Sequence, residues 1–174
     1  DLADEQIAVA VFAVIINSDV NITNMTTNQI QGIYSGKYSN WKDLGGPDLT
    51  IHPLSRGTGS GTRYTFDHYI LGGDELVPQL APMNSTQDMI SSVQNTPGAI
   101  GYAALHDVLT NAQSLIAVNI DRVSASPSNI INNTYKFWNI EHMYTKTGQA
   151  TALTTAFINY MGNSRATQIM QNFS

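Results

Sequence analysis

The chain has 174 residues, 42% of them hydrophobic and only 12% charged, which is enough apolar side chain for one ordinary domain or two small lobes and too few charges for charge-driven disorder. Eight Lys plus Arg against thirteen Asp plus Glu give a formal net charge of −5 with no basic block, which argues against nucleic acid as a partner. The absence of cysteine excludes disulfides, thiol catalysis and zinc–thiolate sites, and no apolar run reaches the roughly 18 to 20 residues of a membrane-spanning helix.

From Ile7 to Ile16 the sequence reads I-A-V-A-V-F-A-V-I-I without alternation. That pattern predicts a strand buried on both faces, in a parallel or mixed sheet covered by helices. In M-T-T-N-Q-I-Q-G-I-Y-S-G, Thr26 and Gln29 stand at capping-box spacing, Ile30, Ile33 and Tyr34 fall on one stripe, and Gly36 can close the end of a short helix. After the turn N-W-K-D-L-G-G-P-D, in which Trp41 is expected to anchor the loop, Leu49 to Leu54 reads as a second strand.

That strand feeds S-R-G-T-G-S-G-T-R, Ser55 to Arg63, and then a helix whose buried face is expected to comprise Tyr64, Phe66, Tyr69 and Ile70, ending at Gly72. A strand, a glycine-rich turn and a helix point backbone N–H groups outward. Gly57, Gly59 and Gly61 allow those amides to converge without Cβ interference, and the unpaired amides of the helix start add partial positive charge. Ser60 and Thr62 supply hydroxyls, and Arg56 supplies the charge near the turn in a planar fork suited to oxyanions. The competing reading is a plain turn in which Ser60 caps the helix and Arg56 pairs with a surface carboxylate. Nucleotide motifs do not fit: no Lys follows the glycines, their spacing is G-x-G-x-G, and Thr58 and Thr62 occupy the outer positions that a nucleophile elbow reserves for glycine.

Farther on, Ser85 and Asp88 predict a capped helix to about Asn95, and Pro97-Gly98 turns the chain into a strand from Ala99 to Ala103 in which Gly98 and Gly101 permit close packing. Arg122 to Asn133 reads as a polar loop. Phe137 to Tyr144 reads as an apolar strand, the aromatic cluster Tyr135, Phe137 and Trp138 as a strand entering the core, and Ala150, Leu153, Phe157 and Met161 mark an amphipathic helix. His52, His68, His106 and His142 stand apart, without metal-like spacing, and the carboxylates are scattered, so no metal, cofactor or catalytic residue is assigned. The sequons at Asn21, Asn24, Asn84 and Asn132 are ascribed to an Asn- and Thr-rich composition.

Four segments together resemble the phosphate-binding substrate-binding proteins of bacterial phosphate ABC transporters: I-Y-S-G-K-Y-S-N-W-K-D-L-G-G-P-D (Ile33 to Asp48), Ser55 to Arg63, T-P-G-A-I-G-Y (Thr96 to Tyr102) and Y-T-K…A-F-I-N-Y-M (Tyr144 to Met161). The resemblance implies an α/β, periplasmic-binding-protein-like fold: a three-layer lobe with a mixed sheet flanked by helices, plus a partial first lobe. It implies a receptor that clamps inorganic phosphate between two lobes and delivers it to a membrane permease, without catalysis. Arg56, Ser60, Gly61 and Thr62 would donate hydrogen bonds to the phosphate. Residues 17–135 would form the complete second lobe, and 1–16 with 136–174 the hinge strands and a remnant of the first.

The location implied is extracytoplasmic, in the periplasm or at the cell surface, with a tether such as a lipoprotein anchor in a segment absent from this chain. The chain is expected to be the C-terminal two-thirds of such a receptor, monomeric when whole and prone to self-association through exposed edges as it stands. Thr58 departs from the family pattern, which often has an acidic residue there to orient the arginine. The rival functions are a phosphoryl-transfer enzyme or phosphatase using the same cradle, and an adhesion or sensory module of the same fold that has lost its ligand.

Overall fold

The structure is a computed structural model and describes residues 1–73, 80, 82–110 and 113–166. In chain order its strands are β1 (Leu2–Asn17), β2 (Asn24–Met25), β3 (His52–Pro53), β4 (Ser55–Arg56), β5 (Pro82–Met83), β6 (Ala99–Ala104), β7 (Leu115–Ala117), β8 (Asn119–Ile120) and β9 (Trp138–Lys146). The helices are α1 (Thr27–Tyr34), α2 (Gly61–Tyr69), α3 (Thr86–Asn95), α4 (Leu105–Thr110), α5 (Pro127–Ile131) and α6 (Ala152–Met161). The chain divides into two compact units, one of Asp1–Ala10 with Asn139–Ser174 and the other of Val11–Trp138.

The main sheet has the order β3-β6-β1-β7, with β9 also paired to β1. It is mixed: β6 and β7 run antiparallel to β1, while β3 runs parallel to β6. In the larger unit β1 sits between β6 and β7, with Ile15 opposite both Gly101 and Ala117. Its side chains alternate. Ala13 and Ile15 join Met89, Ile90 and Val93 of α3 in one apolar cluster. On the other face Phe12 meets Phe137, which meets Phe66 of α2, and Phe66 stacks on Tyr102 at 4.1 Å between ring centroids. Tyr34 of α1 closes this aromatic layer edge-on to Phe66 at 4.9 Å. The result is helices, sheet and helices in three layers.

Local chemistry accounts for the elements. Thr26 and Gln29 form the expected capping box, each side chain bonding the other's backbone N–H at 3.1 and 2.8 Å. Ser85 accepts from the Asp88 amide at the start of α3. Trp41 is fully buried and donates its indole N–H to the Gly98 carbonyl at 2.9 Å. Gly98 has φ +75, and a Cβ there would lie 2.2 Å from the Thr50 carbonyl oxygen. Only glycine fits that approach of β6 to the preceding loop.

Several expectations change. The first strand is fully enclosed only from Phe12 onward, and Val9 is 53% exposed. Of the span Leu49–Leu54 only His52–Pro53 is strand, as β3 paired with β6, and the chain beyond it, as β4, leaves to pair with β5. On α2, Phe66 and Ile70, four residues apart on one face, are buried while Tyr64 and Tyr69 are exposed. The stretch Arg122 to Asn133 contains the short helix α5, with Ser126 as N-cap and Pro127 in its first turn. In the smaller unit, α6 leaves Leu153 and Phe157 80% and 52% exposed. Among the described residues, no helix is long and apolar enough to cross a membrane.

Candidate functional site

The turn between β4 and α2 is held from beneath. Ser55 is buried, and its hydroxyl lies 2.9 Å from the Tyr102 phenol, which also accepts the Arg56 N–H at 3.1 Å. The Arg56 carbonyl accepts from Nη1 of Arg63 at 2.9 Å. Both backbone groups of Arg56 are therefore fixed by side chains. Beyond it the Ser60 N–H donates to the Gly57 carbonyl at 3.0 Å, closing the turn.

Ser60 then caps α2 in extended backbone geometry, its Oγ accepting from the Arg63 amide at 3.3 Å. An oxygen used this way keeps its own proton for an outside acceptor. Gly61 and Thr62 are the first two residues of α2, and among the described residues their amides have no acceptor. A Cβ built on Gly57, Gly59 or Gly61 would meet nothing within 4 Å, and none of the three has positive φ. These glycines are thus not required by backbone conformation. What they keep open is the space in front of the amides.

The Arg56 guanidinium turns toward the segment that leads into α3. Nε donates to the Met83 carbonyl at 3.1 Å, Nη1 to Thr86 Oγ1 at 3.3 Å and Nη2 to the Asn84 carbonyl at 3.4 Å. Neutral acceptors thus orient the fork, and Thr58 is exposed. Of the five guanidinium N–H bonds, these contacts engage three and leave two for another acceptor.

Arg56 is not the only charge beside the turn. Arg63 pairs through Nε with Asp67 Oδ2 at 3.2 Å, while Asp67 Oδ1 is buried and has no hydrogen-bond partner among the described residues. Burial first, and the Tyr102 phenol and the Asp67 carboxylate after it, hold the Tyr34 phenol well above its usual range. Burial also raises Tyr102, against the opposing effect of its bonds to Ser55 and Arg56.

Of the residues expected from the sequence, Arg56, Ser60, Gly61 and Thr62 lie along this one turn and helix start. The sequence reading missed Arg63, Asp67, Tyr102 and the Met83–Thr86 acceptors. Arg63 and Asp67 were legible as an i,i+4 pair, and Tyr102 closes a segment read only as scaffold. Among the described residues no cluster of His, Asp and Glu could hold a metal ion.

A family model described as the PBP superfamily domain matches residues 1–165. The phosphate-binding protein PstS of Bacillus subtilis is 36% identical over 160 residues, covering 92% of this chain and 52% of that protein. A Clostridium perfringens protein, described as a phosphate ABC transporter substrate-binding protein and solved with bound phosphate, superposes with a TM-score of 0.91 at 31% identity, over 99% of this chain and 70% of its own. An ABC-type phosphate transport receptor from Vibrio cholerae gives 0.80 at 25% identity, over 99% of this chain and 71% of its own. The chain spans about half the length of the curated relatives it matches first.

Proposed function

This chain belongs to the PBP superfamily, and we propose that it is the phosphate-recognising part of the extracytoplasmic solute-binding component of a phosphate ABC transporter. The ligand is inorganic phosphate, bound by the amides of Gly61 and Thr62, the hydroxyls of Ser60 and Thr62 and the free N–H bonds of Arg56. Residues 17–135 form the ligand-carrying lobe together with the end of β1 from Val11 that pairs with β6, and the remaining segments form the hinge strands and part of the other lobe. The receptor passes its ligand to a membrane permease. It is tethered through a segment outside this chain and is monomeric when whole.

The observation that carries this reading is the coincidence, at one turn, of two helix-start amides without acceptors, an oriented guanidinium with N–H bonds to spare and glycines that face open space. A charge-assisted hydrogen bond contributes about 1.5 to 3 kcal/mol and a helix start about 0.3 to 1. Four or five such contacts outweigh dehydration of a small oxyanion. The net charge of −5 opposes this little, because the screening length at physiological salt is about 8 Å and the donors are in direct contact. The names of the relatives point to the same ligand.

The test is a titration of the 15N-labelled chain with inorganic phosphate, sulfate and acetate. A saturable shift of the Ser60, Gly61 and Thr62 amides by phosphate is expected. No response to any of the three anions would remove the reading.

A further inference from the structure

Arg63 does not belong to the set assigned to contact the anion, yet two features around it run against local preference. It stands in the first turn of α2, where a cation opposes the helix dipole. Its partner Asp67 keeps one carboxylate oxygen buried and, among the described residues, without a hydrogen bond, a costly state for an acceptor. Violations of local rules concentrate where a structure is committed to a task. Here the pair does one visible thing: Asp67 holds Nε of Arg63, and Nη1 of the same guanidinium holds the Arg56 carbonyl at 2.9 Å.

We infer that Arg63, braced by Asp67, is a positioning residue of the anion turn, fixing the Arg56 peptide and so the direction in which the Arg56 side chain and the following amides face. β4 is only two residues long and among the described residues pairs with β5 alone, so its ladder cannot supply that constraint. The Tyr102 phenol fixes the N–H side of Arg56 and Arg63 fixes the carbonyl side. The rigid guanidinium holds the carbonyl and the carboxylate at a fixed spacing through Nη1 and Nε; a lysine ammonium, a compact charge with rotatable donors, does not impose that geometry. The inference rests on the turn being the phosphate site, and it assigns a residue that the site reading does not include.

Arg63→Lys is the decisive variant, because it keeps the charge and loses the fork. Phosphate titration followed by amide shifts should give a Kd raised roughly tenfold, the loss of about one charge-assisted bond. The salt dependence should be unchanged, with the melting temperature nearly so. Amide exchange at Arg56 and Ser60, the hydrogen-bonded amides of the turn, should accelerate in the ligand-free chain. Arg63→Gln should weaken binding to a similar degree.

Wild-type affinity and wild-type exchange in Arg63→Lys would overturn the inference, and so would a loss confined to Arg63→Gln, which would mark a field effect. A loss that merely tracks the melting temperature would also overturn it. If the wild-type chain ignored phosphate while exchange still accelerated in Arg63→Lys, the phosphate reading would fail and the positioning role would stand.

Discussion

Gly61→Ala separates a glycine kept for its backbone from one kept for the space it leaves. Gly61 is the first residue of α2, has no positive φ, and an added Cβ would touch nothing within 4 Å. Alanine loses less chain entropy on folding than glycine where the conformation suits both, so the change should stabilise the fold by about 0.4 to 1 kcal/mol. For a domain of this size that raises the melting temperature by roughly 1 to 4 °C. The Cα–Cβ bond of a helical residue tilts toward the helix N-terminus, which here carries the methyl over the amides of Gly61 and Thr62. Forfeiting one charge-assisted bond of about 1.5 to 3 kcal/mol corresponds to an affinity loss of roughly 10- to 150-fold. Differential scanning fluorimetry and a phosphate titration on the same preparation measure both quantities. A melting temperature lowered by several degrees, or an unchanged Kd, would refute the reasoning.

Gly98→Ala should do the reverse, with positive φ and a Cβ 2.2 Å from the Thr50 carbonyl oxygen: a loss of about 2 to 3 kcal/mol in urea denaturation, where a loss below about 1 would contradict the packing described. Arg56→Ala should weaken phosphate binding by roughly 100-fold or more and Ser60→Ala by about fivefold; Ser60→Ala should also cost about 1 kcal/mol of stability through its cap, and equal binding losses would mean that the amides alone carry recognition. Tyr34, Tyr102 and Tyr135 are all raised by burial, so the folded chain holds these protons more tightly than the unfolded one. Their stabilisation is then full below the unfolded value of about pH 10 and declines as pH rises from there through the folded values; a urea midpoint that stays flat well above pH 10 would contradict this. Because the residues assigned to the anion include no carboxylate to accept the proton of hydrogen phosphate, the 174-residue chain should bind more weakly than micromolar, and submicromolar affinity by calorimetry would show that reasoning to be wrong.

Much of this was legible in the residues because it is short-range. The Thr26–Gln29 box, the Ser85 cap and the start of α2 at Ser60 are set by neighbours three positions apart, and the G-x-G-x-G run marks the one open turn before that helix. The extent of burial along β1 was not legible, because an apolar run does not say where its covering layers stop. The exposure of Tyr64 follows from its angular distance to Phe66 and Ile70; that of Tyr69, three residues from Phe66, was not legible from spacing. The support beneath Arg56 was out of reach for another reason. Tyr102 and Met83 lie 46 and 27 residues away, and only the sheet order and the β4–β5 pairing bring them beside the turn. That same support replaces the carboxylate expected near Thr58, so the departure at that position does not leave Arg56 without orientation.

The most direct measurement is a crystal structure of the chain grown with inorganic phosphate. Tetrahedral density should lie within hydrogen-bond distance of the Gly61 and Thr62 amides and the Arg56 fork, with the contacts from Arg56 to Met83, Asn84 and Thr86 intact. A turn empty at high phosphate, or one whose amides are already satisfied by neighbouring carbonyls, would contradict the account.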